Sequence, residues 1–388
     1  MSDIPPPLSS LDWSSPALIL TRVAGHIESR YDRVSGQWSV PKFVTDPVLK
    51  IHGLSSGLHY GQQCYEGLKA HRTPENKIAV FRPYRHAARF VRSCETVFLP
   101  LVPEEHFVTC VLLAVRANAA FVPPHDSSAA LYIRPMAYGS GESLGLGAPP
   151  EAVFCVFVKP VFAYHGVQPL DALVVDEFDR AAPRGTGATK VGGNYAPVIR
   201  WSEAAKAQGF GLTLHLDSQT RNEIDEFSTS AFLAIKEDRE SGFITLVVPD
   251  SPSIIDSVTS SSCMVLARSL GWHVEKRPVK YAELADFSEV MAAGTAASLV
   301  SVRSITRKST EQVFTYLAPS EGVGKNCQIL SQLLDSTMHG RAAKSFGWLV
   351  QIDGVSELVL KVEEKPHIAD RKSGYPLALI SPLRHSCG

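Results

Sequence analysis

The chain has 388 residues, 45% of them apolar and 20% charged, with a formal net charge of −1. That length suits two domains at roughly 100–200 residues each and buries a sizeable core without staples. The near-neutral charge leaves no footprint for nucleic acid, and no apolar run reaches the roughly 18 residues of a membrane span.

Along the chain, the Pro- and Ser-rich first fifteen residues read as a loose arm. Met1-Ser-Asp-Ile-Pro-Pro-Pro lacks the basic-then-apolar order of a secretory signal. A cytoplasmic chain is therefore expected. A mitochondrial leader is the alternative, with Asp3 and scarce arginines against it. Between about residues 85 and 97, Phe90, Cys94 and Val97 recur at helical spacing. A second helix is expected over 103–122, with Phe107, Val111, Ala114, Val115 and Phe121 on one side and Asn118 intruding on it. Strands follow at 130–138 and 152–158, and the Pro- and Gly-bearing stretch 159–169 reads as a linker between domains.

Beyond it the pattern predicts strands at 172–175, Leu212–Leu216, 231–236 and 243–248, with a helix over 197–208. A helix over 255–270 and a strand near 273–276 come next. A helical stretch over 281–293, a short strand at 299–302 and a helix around 326–339 complete the series. Helices and strands mix without strict βαβ alternation, which favours an α+β fold. The expected division is a smaller domain over 1–163 and a larger one over 164–388, the tail from about 354 having no assignment.

Seven cysteines (Cys64, Cys94, Cys110, Cys155, Cys263, Cys327 and Cys387) are odd in number and never spaced Cys-x-x-Cys. They argue against a disulfide framework and a zinc site, and read as buried, reduced thiols. Chemistry concentrates instead in Gly185-Thr-Gly-Ala-Thr-Lys190-Val-Gly-Gly-Asn-Tyr195-Ala-Pro197. Four nearby glycines surround the lysine with little side-chain bulk. A flat carbonyl cofactor needs such an approach, and partial desolvation favours the nucleophilic amine. By composition alone the same loop is an ordinary turn.

Lys190-Val-Gly-Gly-Asn-Tyr195 resembles the catalytic-lysine signature of branched-chain amino acid aminotransferases. The resemblance extends to Leu58-His-Tyr-Gly-Gln-Gln-Cys-Tyr-Glu-Gly-Leu-Lys-Ala70, to Phe81-Arg-Pro-Tyr-Arg-His-Ala-Ala-Arg89 and to Leu131-Tyr-Ile-Arg-Pro135. Glu226-Phe-Ser-Thr-Ser-Ala-Phe232, Ser257-Val-Thr259 and Gly294-Thr-Ala296 follow in the same order, so that the likeness covers about residues 20 to 353. It implies the two-domain fold type IV shared with D-amino acid aminotransferases, with a smaller N-terminal α/β domain and a larger C-terminal domain. The implied cofactor is pyridoxal 5′-phosphate (PLP), and the implied assembly a homodimer in which some pocket residues cross between subunits.

The roles implied by resemblance are specific. Lys190 would hold the cofactor and shuttle a proton. Glu226 would accept a hydrogen bond from the pyridine nitrogen, although neighbouring Glu223 and Asp225 confuse the choice without the motif. Arg89 would bind the phosphate with a bidentate guanidinium, together with Ser228, Thr229, Val258, Thr259 and Thr295. On the residues alone, the Arg85–Arg89–Arg92 face is a solvated one. Tyr195 would bond the ring oxygen. Tyr60, Tyr65, Tyr132, Arg134 and Ala296 would shape the substrate pocket.

This chain departs from the family at Ala231, where Asn is usual, at Ser228, where Gly is usual, and in its long tail. The implied reaction moves an amino group between a hydrophobic, branched-chain-like L-amino acid and 2-oxoglutarate. Two other readings stay open: another fold type IV chemistry (a D-amino acid or amine transaminase, or aminodeoxychorismate lyase), and a PLP-binding protein without turnover.

Overall fold

The computed structural model describes residues 4–162, 168–238, 240–354 and 361–362. Two mixed sheets organise them, one of 10 strands and one of 9. The first is built around the long antiparallel pair Ala130–Ser140 and Glu151–Val161, flanked by His26–Asp32, Gln63–Tyr65, Leu68–Arg72 and Ile78–Phe81. The second runs through Leu170–Val174, Leu212–Leu216, Ile224–Phe227, Ala231–Glu237, Ile244–Pro249, Glu289–Gly294 and Ser298–Arg307. This is a mixed α+β architecture, in which each sheet carries its own apolar core.

The core of the first half follows from the helical spacing. The helices Pro83–Thr96 and Glu104–Ala117 turn Phe90 and Phe107 onto Phe154 of the sheet, with ring centroids 5.3 and 5.6 Å from that ring. Burying such a ring is worth about 1.5–3 kcal/mol. The second helix stops at Ala117, short of the predicted 122. Asn118 explains the end, because its amide donates to Ala114 O and Gly25 O while its carbonyl accepts from the Ala24 N–H. The polar residue on the apolar side is thus fully satisfied inside the core.

Several expectations change. The helix expected over 281–293 is a 3₁₀ turn, Tyr281–Asp286, followed by a strand, Glu289–Gly294. That strand lies between Ala231–Glu237 and Ser298–Arg307, and it buries Val290 and Ala292 in one core and Met291 and Ala293 in another, so its apolar run carries no alternation. The helix expected from 255 begins at Val258, where the Ser257 side chain caps it by accepting from the Ser260 N–H. Residues 159–161 of the expected linker belong to the strand Glu151–Val161, and 163–167 lie outside the described residues. The amino-terminal arm is docked from Ile4 onward: Ile4 packs on the first core, and the Leu8 N–H donates to Ala120 O.

The chain also returns after the second sheet. The helix Lys325–Met338 leads to Leu349–Gln351, which pairs with Ile78–Phe81 in the first sheet. Lys325–Met338 packs on the second sheet, whereas Leu349–Gln351 and Lys361–Val362 pair into the first; 355–360 and 363–388 lie outside the described residues.

Candidate active site

Lys190 sits where the two sheets meet. Its loop is tied by Asn194, whose amide donates to Thr186 O and Thr189 O at 2.7 and 2.9 Å. Its backbone is fastened to the first sheet and its helix: the Lys190 N–H donates to Ser93 Oγ, and the Tyr65 N–H donates to the Lys190 carbonyl. With the main chain held from that side, the amine points to Tyr195, Nζ to Oη being 3.0 Å. The rings of Tyr65 and Tyr195 lie 4.8 and 4.9 Å from Nζ. Burial alone would raise the Tyr195 phenol, but the Lys190 and Arg180 cations outweigh it and hold it below its ordinary value. The pair can hold and pass a proton between two named atoms, Lys190 Nζ and Tyr195 Oη.

Glu226, on the buried strand Ile224–Phe227, faces this pair from the second sheet. One of its oxygens, Oε1, lies 2.5 Å from Arg180 Nη1 and accepts from the Ile255 N–H at 3.2 Å. Burial pushes the carboxyl up to about 7 against the opposing pull of Arg180. Of the neighbours that compete with it in sequence, Asp225 is also buried, whereas Glu223 closes a turn with Asp217 and Lys280.

Arg89 is placed differently from its expected role. Its fork is engaged with buried Glu66, Nε to Oε1 at 2.6 Å and Nη2 to Oε2 at 2.8 Å, and its Nη1 donates to Asp256 O. His86 adds a third contact to Glu66 at 2.8 Å. The expected bidentate grip is therefore made to Glu66, and a phosphate meets only the guanidinium's remaining hydrogens. The contact to Asp256 sets this cation beside Ser257, at the head of the helix Val258–Ser269. Helix-start N–H groups and a cation are together a ready anion cradle. Thr259 and Thr295 line one small void there, along with His86 and Lys69.

A cavity of about 580 Å³ opens beside Tyr132 and Arg134, bounded by Thr229, Ser230 and Ala296 on the other side. Its further walls are mostly apolar, with Ile19, Phe157, Val161, Leu212 and Val300, and include Lys159, whose Nζ donates to Thr21 O. The Arg134 guanidinium lies 4.9 Å over the Tyr65 ring and donates to Tyr132 Oη at 3.0 Å. Gly67 makes this possible, since a Cβ there would collide with the Tyr132 hydroxyl.

Two residues stand apart from the cluster. Tyr60 is 47% exposed, and its hydroxyl donates to Leu144 O on a surface loop. Ser228 is buried and turned away, its hydroxyl 2.6 Å from His215 Nε2 and 2.5 Å from Thr213 Oγ1. The Ser228 side chain thus anchors the turn from behind and gives no donor to a phosphate. Ala231 lines a cavity of about 210 Å³ beneath Ser257 and Ser260, the space that a larger amide would enter. Sequence reasoning misses Arg180 and the roles of Glu66 and His86. Glu66 lies inside the Leu58–Ala70 motif, whereas Arg180 is one charge in a charged loop and carries no signal.

The donor set fits PLP. An amine lies beside a phenol, a buried carboxylate faces them, and an arginine adjoins a helix start. Comparison with known proteins agrees. The amino-transferase class IV family model matches residues 63–305. An aminotransferase of Gibberella zeae is 53% identical over 91% of this chain and 90% of its own length. The aminotransferase atnJ of Emericella nidulans is 53% identical over 86% and 96%. Among solved structures, the branched-chain amino acid aminotransferase of Escherichia coli superposes with a TM-score of 0.66 at 23% identity, covering 85% of this chain and 99% of its own. The Thermobaculum terrenum branched-chain enzyme in its PLP form gives 0.67 at 20% identity, over 86% and 99%; at these identities the likeness is one of fold. The chain belongs to the class IV aminotransferases, PLP-dependent enzymes of fold type IV.

Proposed function

We infer that the enzyme transfers the amino group of a hydrophobic L-amino acid, branched-chain or related, to 2-oxoglutarate. The observation that carries this reading is the mostly apolar cavity of about 580 Å³ lined by Arg134, the other cation there, Lys159, being engaged with Thr21 O. Its walls suit an aliphatic side chain, whose burial contributes about 1.5–3 kcal/mol for Val, Leu or Ile. The volume exceeds what an isobutyl group fills, so longer side chains are accommodated as well. Arg134 supplies the cation that the second carboxylate of a dicarboxylic acceptor requires.

PLP, when bound, supplies the electron sink for the carbanion formed at the substrate Cα. The residues of the chain do the rest. Lys190 Nζ is the covalent anchor and moves the proton to and from Cα. Tyr195 Oη bonds the ring oxygen and keeps the lysine amine oriented. Glu226 Oε2 accepts from the ring nitrogen. Arg89, Val258, Thr259 and Thr295 hold the phosphate, and Thr229 and Ala296 bound the substrate. Tyr65 and Tyr132 exclude water from the amine.

A homodimer completes the pocket in this reading. Tyr60, bonded to Leu144 O, and Leu144 and Leu146 are exposed apolar side chains suited to cap a neighbour's cavity. A reducing, cytosolic setting agrees with the buried, free thiols from Cys64 to Cys327.

The test is spectroscopic. The cofactor's visible band is followed while L-leucine, L-norleucine, L-glutamate and D-leucine are added in turn. Bleaching by the L-hydrophobic acids and by glutamate is the expected result. Bleaching by D-leucine alone would move the chain to the D-specific branch, and a band unmoved by any of them would defeat the substrate assignment.

A further inference from the structure

Arg180 lies ten positions before Lys190, in the loop that leaves the strand Leu170–Val174. Its guanidinium is buried, as is its partner Glu226. Nη1 reaches Glu226 Oε1 at 2.5 Å and Gly187 O at 3.4 Å, and the same head group lies 5.9 Å over the Tyr195 ring. Nε is buried without a hydrogen-bond partner. The Ile255 N–H donates to the same Oε1. Both protein donors therefore converge on one carboxylate oxygen, and Oε2 takes no donor among the hydrogen bonds of the described residues.

The other charged or titratable neighbours do not replace Arg180. Asp225 is next in the chain and carries the same sign as Glu226. Lys190 faces Tyr195. His215 stands behind with Ser228, held neutral by burial and by Arg180 itself, its pKa lowered to about 3. Arg221 pairs with Asp179. Among the described residues, Arg180 is the one cation at ion-pair distance from Glu226.

We propose that Arg180 is a positioning residue for the cofactor ring: it clamps Oε1 of Glu226 and presents Oε2, ionised, to the pyridine nitrogen, so that the proton on that nitrogen depends on Arg180. This rests on the reading of Glu226 as the ring's partner. The balance is one proton between two atoms. With Arg180 present the proton stays on the ring nitrogen and Oε2 accepts. Without Arg180, burial of the carboxylate is unopposed, and the same proton moves to Oε2, which then donates to a neutral ring. The ring loses its positive charge and with it much of its capacity as an electron sink. Burial already pushes Glu226 up to about 7 with Arg180 in place, and Arg180 is the largest of the influences that oppose it, ahead of the Ile255 N–H and Lys190.

The experiment uses full-length holoenzyme reconstituted with PLP labelled with ¹⁵N at the ring nitrogen, whose chemical shift reports the proton directly. Wild type is expected in the protonated range, and Arg180→Met in the neutral range, with kcat down by roughly 100-fold, the scale of a lost proton-transfer group. Arg180→Lys restores the cation and is expected to recover the protonated shift. In the apoprotein, the Glu226 carboxyl stretch, assigned by its loss in Glu226→Gln, should titrate at higher pH in Arg180→Met than in wild type. Should Arg180→Met fail to fold, Arg180→Gln, which keeps a hydrogen-bond donor without the charge, carries the same test. A protonated ring in the neutral variants would overturn the proposal. Glu226→Gln separates the two failures: if it also leaves the ring protonated, the reading of Glu226 itself is wrong, and if it alone neutralises the ring, only the role of Arg180 falls.

Discussion

Arg89 holds Glu66 in a two-point grip, Nε to Oε1 at 2.6 Å and Nη2 to Oε2 at 2.8 Å, with both side chains buried. Burial opposes the Glu66 charge, but Arg89 and His86 overcome it and hold the carboxyl far below the usual glutamate range. A depressed folded-state value contributes stability that is present above the unfolded value of about 4.5 and is lost as pH falls through the folded one. Glu66→Gln should therefore cost about 3–5 kcal/mol at neutral pH, as expected for a broken buried pair. It should also flatten the acid limb of stability. Urea unfolding across acid to neutral pH checks both, and an unchanged acid limb would show that Glu66 is not the group responsible.

Lys190→Ala should abolish the visible cofactor band and all turnover while the far-ultraviolet circular dichroism stays that of wild type. The Lys190 backbone contacts to Ser93 and Tyr65 do not involve the side chain, so the loop keeps its place. Turnover at the wild-type rate would refute the assignment of Lys190.

Gly67→Ala tests the wall of the substrate cavity. The added Cβ meets the Tyr132 hydroxyl and must displace it, taking with it the Arg134 contact at 3.0 Å. Overpacking of this kind costs about 1–3 kcal/mol. The KM for a hydrophobic amino acid should rise roughly tenfold, which is about 1.4 kcal/mol of lost binding. Steady-state kinetics with an unaltered KM would mean that Tyr132 does not border the bound side chain.

Asn118→Ala should destabilise without touching catalysis. It leaves the Ala24 N–H and the Gly25 carbonyl without their buried partner, at about 1–3 kcal/mol for such groups. Thermal unfolding should show the loss, with kcat and KM unchanged.

Local sequence pattern by itself makes parts of this protein legible. Helical spacing around Phe90 and Phe107 and the strands on either side of the linker need only apolar periodicity, because one face of each element is buried. Lys190 and Glu226 stand out only through the resemblance of their short motifs to those of the family. The strand Glu289–Gly294 reads as helix in the sequence because Val290 and Ala292 enter one apolar core and Met291 and Ala293 the other, which erases the alternation.

What only the tertiary structure decides are partnerships between charges distant in sequence. Arg89 stands on a helix face indistinguishable from a solvated one until Glu66 is folded against it. Arg180 is one charge among several in a loop until the second sheet brings it to Glu226. Sequence spacing specifies which face a side chain occupies, but whether a charge meets water or a buried partner depends on which elements pack over it. That is settled by the long-range assembly of the two sheets.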